Sequence, residues 1–308
     1  MSAAARRSHE LEAIELLTRL VGPAPGDEVW IGDDAAVLGP VSGRVLLATD
    51  LAAEGVHFDR RFGTLADLGW RVLVQNLSDI AAMGGRPRAA VVALAGAELT
   101  ELAEIYAGLL EASRRFACPV VGGDLSDAAC LNISVAMLGE ATTVAPVLRR
   151  GAKPEETIYV TGPLGAAAAG LRALRADPSA SSPCVSAFLR PEPRLAEGAA
   201  AAGAGASAMI DVSDGFGIDL RRLADASGVG VLLDELPVAP GASDDEALGG
   251  GEDYELIFSA PDPSRVGAGF AEGGLRAPVR VGVTTADTAA FQLRGVPLPA
   301  AGWEHRLG

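Results

Sequence analysis

The feature that most constrains this chain is an alternation of short β-like runs with amphipathic helical runs, the β-like runs ending in clusters of aspartate and glycine. Val29 to Ile31 leads into Gly32-Asp33-Asp34, Arg44 to Ala48 into Thr49-Asp50, and Val120-Val121 into Gly122-Gly123-Asp124. Ala208 to Val212 carries Asp211 toward Ser213-Asp214-Gly215, and Gly251 stands before Glu252-Asp253. Helical periodicity covers Ser8 to Leu20, Thr64 to Met83 with Thr64 as the expected cap, Thr100 to Phe116, Gly165 to Leu174, Leu195 to Ala202 and Ile218 to Ala226. Further strands are expected at Arg88 to Ala95, Leu131 to Leu138, Thr157 to Val160, Val229 to Leu233, Tyr254 to Phe258, Val279 to Val283 and Phe291 to Leu293. A Pro/Ser-rich loop is expected at Asp177 to Pro183. This mixture is an α/β or α+β class. The 308 residues suit two domains. The basic, loop-like stretch from Ala141 to Pro154 divides them, giving domains at 1–148 and 149–308.

With 49% hydrophobic and 21% charged residues the chain can bury a sizeable core. Aromatic residues make up only 5%, so that core rests on Ala, Val and Leu, and the low aromatic content argues against stacking platforms for single-stranded nucleic acid. A formal net charge of −15 repels phosphate backbones and anionic lipid, so neither nucleic acid nor a membrane is an expected partner. A polyanionic substrate could approach only through bridging cations such as Mg²⁺. Lys153 is the single lysine and lacks a G-x-x-x-x-G-K-[ST] setting, which argues against a P-loop kinase. Cys118, Cys130 and Cys184 are odd in number and unpatterned, so neither a disulfide framework nor a cysteine zinc site is expected, and a reducing cytoplasm is the natural compartment. Met1 to Leu20 lacks the apolar core of a signal peptide, and no apolar run is long enough to cross a membrane.

Each acid–glycine cluster taken singly is more often a turn or a cap than a ligand. Their recurrence in an acidic chain points to oxygen ligands for a hard cation. Asn76 and Asp79 share a helix face, and a buried aspartate there needs a cation or several donors. The scarcity of His and Cys favours Mg²⁺ over zinc. Gly122-Gly123 and Gly249-Gly250-Gly251 admit two readings, close backbone approach to a phosphate or tight turns alone.

The ordered set Ile31-Gly-Asp-Asp-Ala35, Ala48-Thr-Asp50, His57-Phe58, Asn76-Leu-Ser-Asp-Ile-Ala-Ala-Met-Gly84, Val121-Gly-Gly-Asp124, Arg150-Gly-Ala-Lys-Pro154, Ile210-Asp-Val-Ser-Asp-Gly215 and Gly250-Gly-Glu-Asp-Tyr-Glu-Leu256 resembles the thiamine-monophosphate kinase family over nearly the whole chain. The resemblance implies a two-domain fold like that of aminoimidazole-ribonucleotide synthetase. It also implies a homodimer built on the N-terminal domains, which bind ATP and Mg²⁺, and a C-terminal α/β domain that completes the active site. The implied reaction is ATP-dependent phosphorylation of thiamine monophosphate to thiamine diphosphate, with no covalent protein nucleophile. By the same resemblance Asp34, Thr49, Asp50, Asp79, Asp124, Asp211 and Asp214 correspond to Mg²⁺ ligands, and Tyr106, Gly123, Asp124, Arg149 and Ser213 to nucleotide contacts. His57, Glu252 and Trp303 correspond to thiamine-side contacts.

Two departures stand out. Ala48 replaces a common serine, removing any side-chain ligand there, and Arg149-Arg150-Gly151 leaves a choice of register in which Arg149 is preferred. Bland readings stand beside the assignments: a strand-end surface histidine for His57, a core seal for Trp303, and a solvated loop charge for Arg149. Rival functions are another ATP-using member of the superfamily, such as selenophosphate synthetase or the purine-pathway synthetase, and a non-catalytic nucleotide- or metal-binding regulator. A selenophosphate synthetase is expected to carry a reactive cysteine in an N-terminal glycine-rich loop, and no cysteine precedes Cys118.

Overall fold

The computed structural model describes residues 3–304. The chain divides into two compact units, Met1–Asn76 with Pro87–Glu140, and Leu77–Arg86 with Ala141–Gly308.

The first unit contains α1 (Ala3–Val21), β1 (Val45–Ala53), most of α2 (Leu65–Ala82), most of β2 (Gly85–Ala95), α3 (Leu99–Arg115), β3 (Val120–Ser126) and most of β4 (Asn132–Ala141). Its sheet has the order β1-β4-β2-β3, with β1 antiparallel to β4 and β2 parallel to β3. Burial alternates along β1 and along most of β4. Leu46 and Ala52 of β1, Ile133, Val135 and Met137 of β4 and Val92 and Leu94 of β2 are buried, whereas Val45, Leu47, Leu51 and Val91 are exposed. Period-2 alternation of this kind marks a sheet with one covered face and one open face. Helices α2 and α3 meet at two glycines: a Cβ on Gly69 would lie 1.9 Å from the Ile105 carbonyl oxygen, and one on Gly108 would lie 1.7 Å from that of Ala66. Any other residue at either position would force the helices apart. Thr64 starts α2 as expected, accepting from the Asp67 N–H while the Asp67 carboxylate accepts from the Thr64 N–H.

The second unit contains β5 (Thr157–Val160), α4 (Ala166–Ala176), α5 (Pro183–Leu189), α6 (Leu195–Ala204), β6 (Ala208–Asp211), α7 (Phe216–Ser227), β7 (Gly230–Leu233), α8 (Asp244–Gly249), β8 (Leu256–Ala260), α9 (Pro263–Glu272), β9 (Val279–Thr285), β10 (Phe291–Leu293) and β11 (Val296–Pro297). Its seven-stranded mixed sheet has the order β11-β10-β7-β9-β5-β8-β6. Every residue of β6 and β8 is buried, because both faces of the sheet are covered. On one face Ile158, Val160, Ile210, Val231, Ile257 and Val281 pack with Phe216, Leu220 and Leu223 of α7. On the other, Tyr159, Met209, Leu256 and Phe258 pack with Ala201 and Ala204 of α6, Val266 and Phe270 of α9, and Ala81 and Ala82 at the end of α2. Tyr159, Phe258 and Phe270 stack in series there, with ring centroids 5.1 and 6.0 Å apart.

The structure departs from the expectation from sequence in three ways. Val29 to Ile31 is not a strand but one side of a loop closed by reciprocal hydrogen bonds between Val29 and Val37, with Gly32-Asp33-Asp34 inside it. Thr49-Asp50 and Gly122-Gly123-Asp124 lie within β1 and β3 rather than beyond their ends. Helices α5, α8 and α9 were not anticipated, although each has a legible start: Ser182 before Pro183, a Ser243–Glu246 capping box, and Asp262 before Pro263.

Candidate active site

In the second unit, β6 delivers Asp211 to the edge of a turn, Val212 to Gly215, that opens α7. Asp211 is buried, and the hydroxyl of Ser78, the residue before Asp79 on α2, donates to its carboxylate at 2.7 Å. The turn is built by a residue further along. One carboxylate oxygen of Asp219 accepts the backbone N–H groups of Ser213, Asp214 and Gly215 at 3.2, 3.0 and 3.1 Å. The other accepts from Arg222 at 2.7 Å, and the same guanidinium nitrogen reaches Asp214 at 2.5 Å. Burial pushes the Asp219 carboxyl up to about 6, the nearby charges of Asp211 and Asp214 adding to the shift, while the Asp214 N–H and Arg222 oppose it.

Two more segments converge on this turn. The Glu252 N–H donates to the Ser213 carbonyl at 2.8 Å and the Tyr254 N–H to that of Val212 at 3.0 Å. From the C-terminal segment, the Trp303 N–H donates to the Asp214 carbonyl at 2.9 Å. Glycine is required for this approach: a Cβ on Gly251 would lie 2.4 Å from the Ser213 carbonyl oxygen, and one on Gly302 would lie 2.2 Å from the Ile218 side chain. Ser213, Asp214, Glu252 and Trp303, some 90 residues apart in sequence at the extremes, are thus neighbours along the backbone hydrogen bonds. Trp303 is 56% exposed, so it does not seal the core. Arg149 and Arg150 are both exposed, and Ser227 Oγ ties their loop to the end of α7 by donating to the Arg149 carbonyl and accepting from the Gly151 and Ala152 N–H groups.

The first unit presents its candidates on the open-faced sheet and the loops around it. Asp34 is exposed in the Val29–Val37 loop, its N–H bonded to Asp33. On β1, Asp50 pairs with Val135 on the covered face, while Thr49 pairs with Ala136 on the open face and its hydroxyl donates to the Val135 carbonyl. Adjacent residues of a strand point to opposite faces, so these two side chains do not converge. Asp124 on β3 pairs with Ala93 of β2, an exposed position, and stands at the opposite edge strand from Asp50. A Cβ on Gly123 would lie 2.0 Å from the Val92 carbonyl oxygen, so this glycine answers to strand packing whatever else it does. His57 is half-buried, and its Nδ1 accepts from the Ala53 N–H at 3.0 Å, which leaves Nε2 as the proton-bearing nitrogen of the neutral ring. Tyr106 is 2% exposed within α3, with its hydroxyl pushed up to about 12 by burial, and its ring belongs to the core.

The donor set of aspartate carboxylates and hydroxyls has the chemistry a hard divalent cation requires. Among the described residues no three His, Cys, Asp or Glu side chains already converge as a metal cage. The sequence reading missed Asp219 and Arg222, which brace the turn; the signal was an aspartate in the first turn of a helix that opens on Asp-Gly. It also missed Ser78 as the partner of Asp211, although Ser78 lies inside a quoted motif.

Comparison with known proteins agrees with this architecture. Residues 32–141 match the N-terminal domain of AIR synthase related proteins, and residues 153–292 match the C-terminal domain. The chain is 37% identical over 268 residues to the thiamine-monophosphate kinase of Mycobacterium tuberculosis, covering 80% of this chain and 77% of that protein. The crystal structure of thiamine-monophosphate kinase from Stenotrophomonas maltophilia superposes with a TM-score of 0.81 at 29% identity, covering 92% of this chain and 96% of that one. AaThiL complexed with AMPPCP and TMP superposes with a TM-score of 0.78 at 29% identity, covering 98% of each chain. A site of oxygen donors around an Asp-Val-Ser-Asp-Gly turn, on this two-domain scaffold and with these relatives, places the chain in the thiamine-monophosphate kinase family of the AIR synthase related proteins.

Proposed function

We propose that this protein transfers the γ-phosphoryl group of ATP to thiamine monophosphate, giving thiamine diphosphate and ADP. The observation that carries the reading is the convergence of Ser213, Asp214, Glu252 and Trp303 on one turn, in a chain of this family. A phosphate oxygen of the acceptor forms the new bond to the γ-phosphorus, and the bond from that phosphorus to the β,γ-bridging oxygen breaks. The acceptor oxygen is already anionic near neutral pH, so no protein base has to remove a proton. Catalysis is then positioning and charge neutralisation.

Gly123, Asp124, Arg149 and Ser213 are assigned to the nucleotide; Tyr106 shares that assignment only through a rearrangement that exposes its ring. Glu252 offers a carboxylate and Trp303 an exposed indole to the cationic ring of the acceptor. His57 offers its Nε2–H. Asp34, Asp50, Asp79, Asp124, Asp211 and Asp214 would hold Mg²⁺, with Thr49 contributing through its main-chain oxygen, since its hydroxyl is on the other face. Bound Mg²⁺ ions supply counter-charge to the polyphosphate and to the transferring group. Arg222 bridges Asp214 and Asp219 as the internal counter-charge of that turn.

The test is incubation with ATP, Mg²⁺ and either thiamine monophosphate or thiamine, with products resolved by chromatography. Thiamine monophosphate is expected to give thiamine diphosphate with one ADP per turnover. Free thiamine is expected to give almost nothing, because its hydroxyl would need a general base and lacks the anionic oxygens that Mg²⁺ grips. Comparable phosphorylation of thiamine would overturn the mechanism, and binding of both substrates without turnover would make the protein a non-catalytic regulator.

The proposed assembly is a homodimer through the first unit, residues 1–148 carrying ATP, Mg²⁺ and dimer contacts and residues 149–308 the remaining substrate contacts. Support comes from the open sheet face, where Val45, Leu47, Leu51 and Val91 are exposed at 57%, 78%, 53% and 39%. Leu47→Lys is expected to convert the dimer to a monomer in light scattering behind size exclusion; an unchanged mass would remove this face as the interface. Three free cysteines accord with a cytoplasmic location. Among the described residues no helix is long and apolar enough to cross a membrane.

A further inference from the structure

The segment carrying Glu252 is held in an unusual backbone conformation. Glu252 and Tyr254 adopt positive φ angles of 67° and 51°, in the left-handed region that side chains beyond glycine and asparagine seldom enter. Such a pair persists only where the surroundings over-determine it. Asp253, between them, supplies that constraint. Its carboxylate fits onto the first turn of α4, accepting the Gly165 N–H at 2.5 Å and the Ala167 N–H at 3.0 Å. These are helix-terminal donors that would otherwise lack acceptors, and a carboxylate is the group best suited to them. On the far side Glu255 is pinned in turn: Arg194 donates to both its oxygens, at 3.1 and 2.7 Å, and Thr161 Oγ1 donates at 2.5 Å. Glu252 therefore precedes two consecutive anchors, at Asp253 and Glu255, while its own N–H is fixed to Ser213.

We propose that Asp253 is a positioning residue: by occupying the first turn of α4 it holds Glu252 in its left-handed conformation and so sets where the Glu252 carboxylate stands for the cationic ring of the acceptor. The proposal rests on the reading of Glu252 as an acceptor contact. It separates Asp253 from a residue that merely caps a helix, because a cap contributes to stability without favouring one substrate over the other.

The experiment measures, by titration calorimetry, the affinity of the full-length protein for thiamine monophosphate and separately for MgAMPPCP, in wild type, Glu252→Gln and Asp253→Asn. Asparagine keeps the size of Asp253 but turns an NH₂ group toward one of the α4 N–H donors. Asp253→Asn is expected to weaken thiamine monophosphate binding about tenfold while MgAMPPCP binding stays within about twofold. Glu252→Gln is expected to do the same. Weakening by Glu252→Gln alone, with Asp253→Asn binding normally, would overturn the positioning role and leave the Glu252 reading standing. Normal acceptor binding in Glu252→Gln would overturn both. Equal weakening for both ligands in Asp253→Asn would reduce Asp253 to a structural cap. Should Asp253→Asn fail to fold, Asp253→Ser, whose hydroxyl still accepts an N–H at a helix start, takes its place with the same outcomes.

Discussion

Asp50→Asn is expected to lower turnover about a thousandfold with the melting temperature unchanged. The substitution is isosteric and removes only charge. Asp50 shares the covered face of β1 with Leu46, Ala48 and Ala52 and pairs across the strand with Val135, which is fully buried. Asp50 is half-buried on that face, and as a cation ligand its charge would serve the metal. The packing of that face rests on apolar side chains, Leu46, Ala52 and Val135, which the substitution leaves in place, so the effect is expected on turnover. Steady-state kinetics at saturating MgATP and thiamine monophosphate, with a thermal melt on the same sample, checks both halves. Near-wild-type turnover at ordinary Mg²⁺ would sink the assignment of Asp50 as a ligand. Asp124→Asn carries the same expectation, and because Asp124 is exposed on β3 its fold has still less to lose.

The largest expected effect on stability belongs to Asp219→Ala. That change leaves the N–H groups of Ser213, Asp214 and Gly215 without their acceptor and takes from Arg222 one of its two carboxylates. Asp219 is 1% exposed, so water does not readily replace it. Removing one partner of such a buried set costs about 3–5 kcal/mol, or roughly 5–8 °C in melting temperature for a chain of this size. Asp219→Asn is expected to lose less, since an amide oxygen still accepts and the volume is kept. The order Ala worse than Asn, measured by calorimetric or dichroism melts, follows from hydrogen-bond loss. Because burial holds the Asp219 carboxyl high and disfavours its charged form, the reverse order would mean that its charge, not its role as acceptor, governs the turn. A wild-type melting temperature in Asp219→Ala would remove Asp219 as the brace.

Much of the architecture could be read before any coordinates. Thr157 to Val160 is an apolar run bounded by polar residues and is a strand over just those residues. The Thr64 cap and the amphipathic period after it locate α2 to within a residue at each end. These are local properties: a cap satisfies N–H groups three residues away, and helical periodicity repeats within a single turn. The family was legible for a related reason, since its motifs are contiguous stretches of a few residues.

Pairing and facing were not legible. Thr49 and Asp50 read as a polar strand end because polar residues usually close a strand, yet β1 continues to Ala53 since β4 pairs with it from Val45↔Glu140 to Ala53↔Asn132. That same pairing sends Thr49 and Asp50 to opposite faces. Gly123 read as a turn or a phosphate approach, and the nearby Val92 carbonyl gives it a packing reason that only the β2–β3 register reveals. Trp303 was open between core and ligand, and its exposure rules out the core. Asp219 looked like an ordinary helix residue until the chain folded it back onto the turn it follows. The sequence by itself determined most of the longer helices and strands and which oxygen donors the chain possesses, because propensity, capping and chemical type belong to each residue and its near neighbours. Only the tertiary structure decided which face each aspartate occupies and which distant segments lie against the Asp211–Gly215 turn, because a strand's facing depends on register with a partner far away in sequence, and a buried carboxylate takes its role from donors that arrive only when the chain has closed around it.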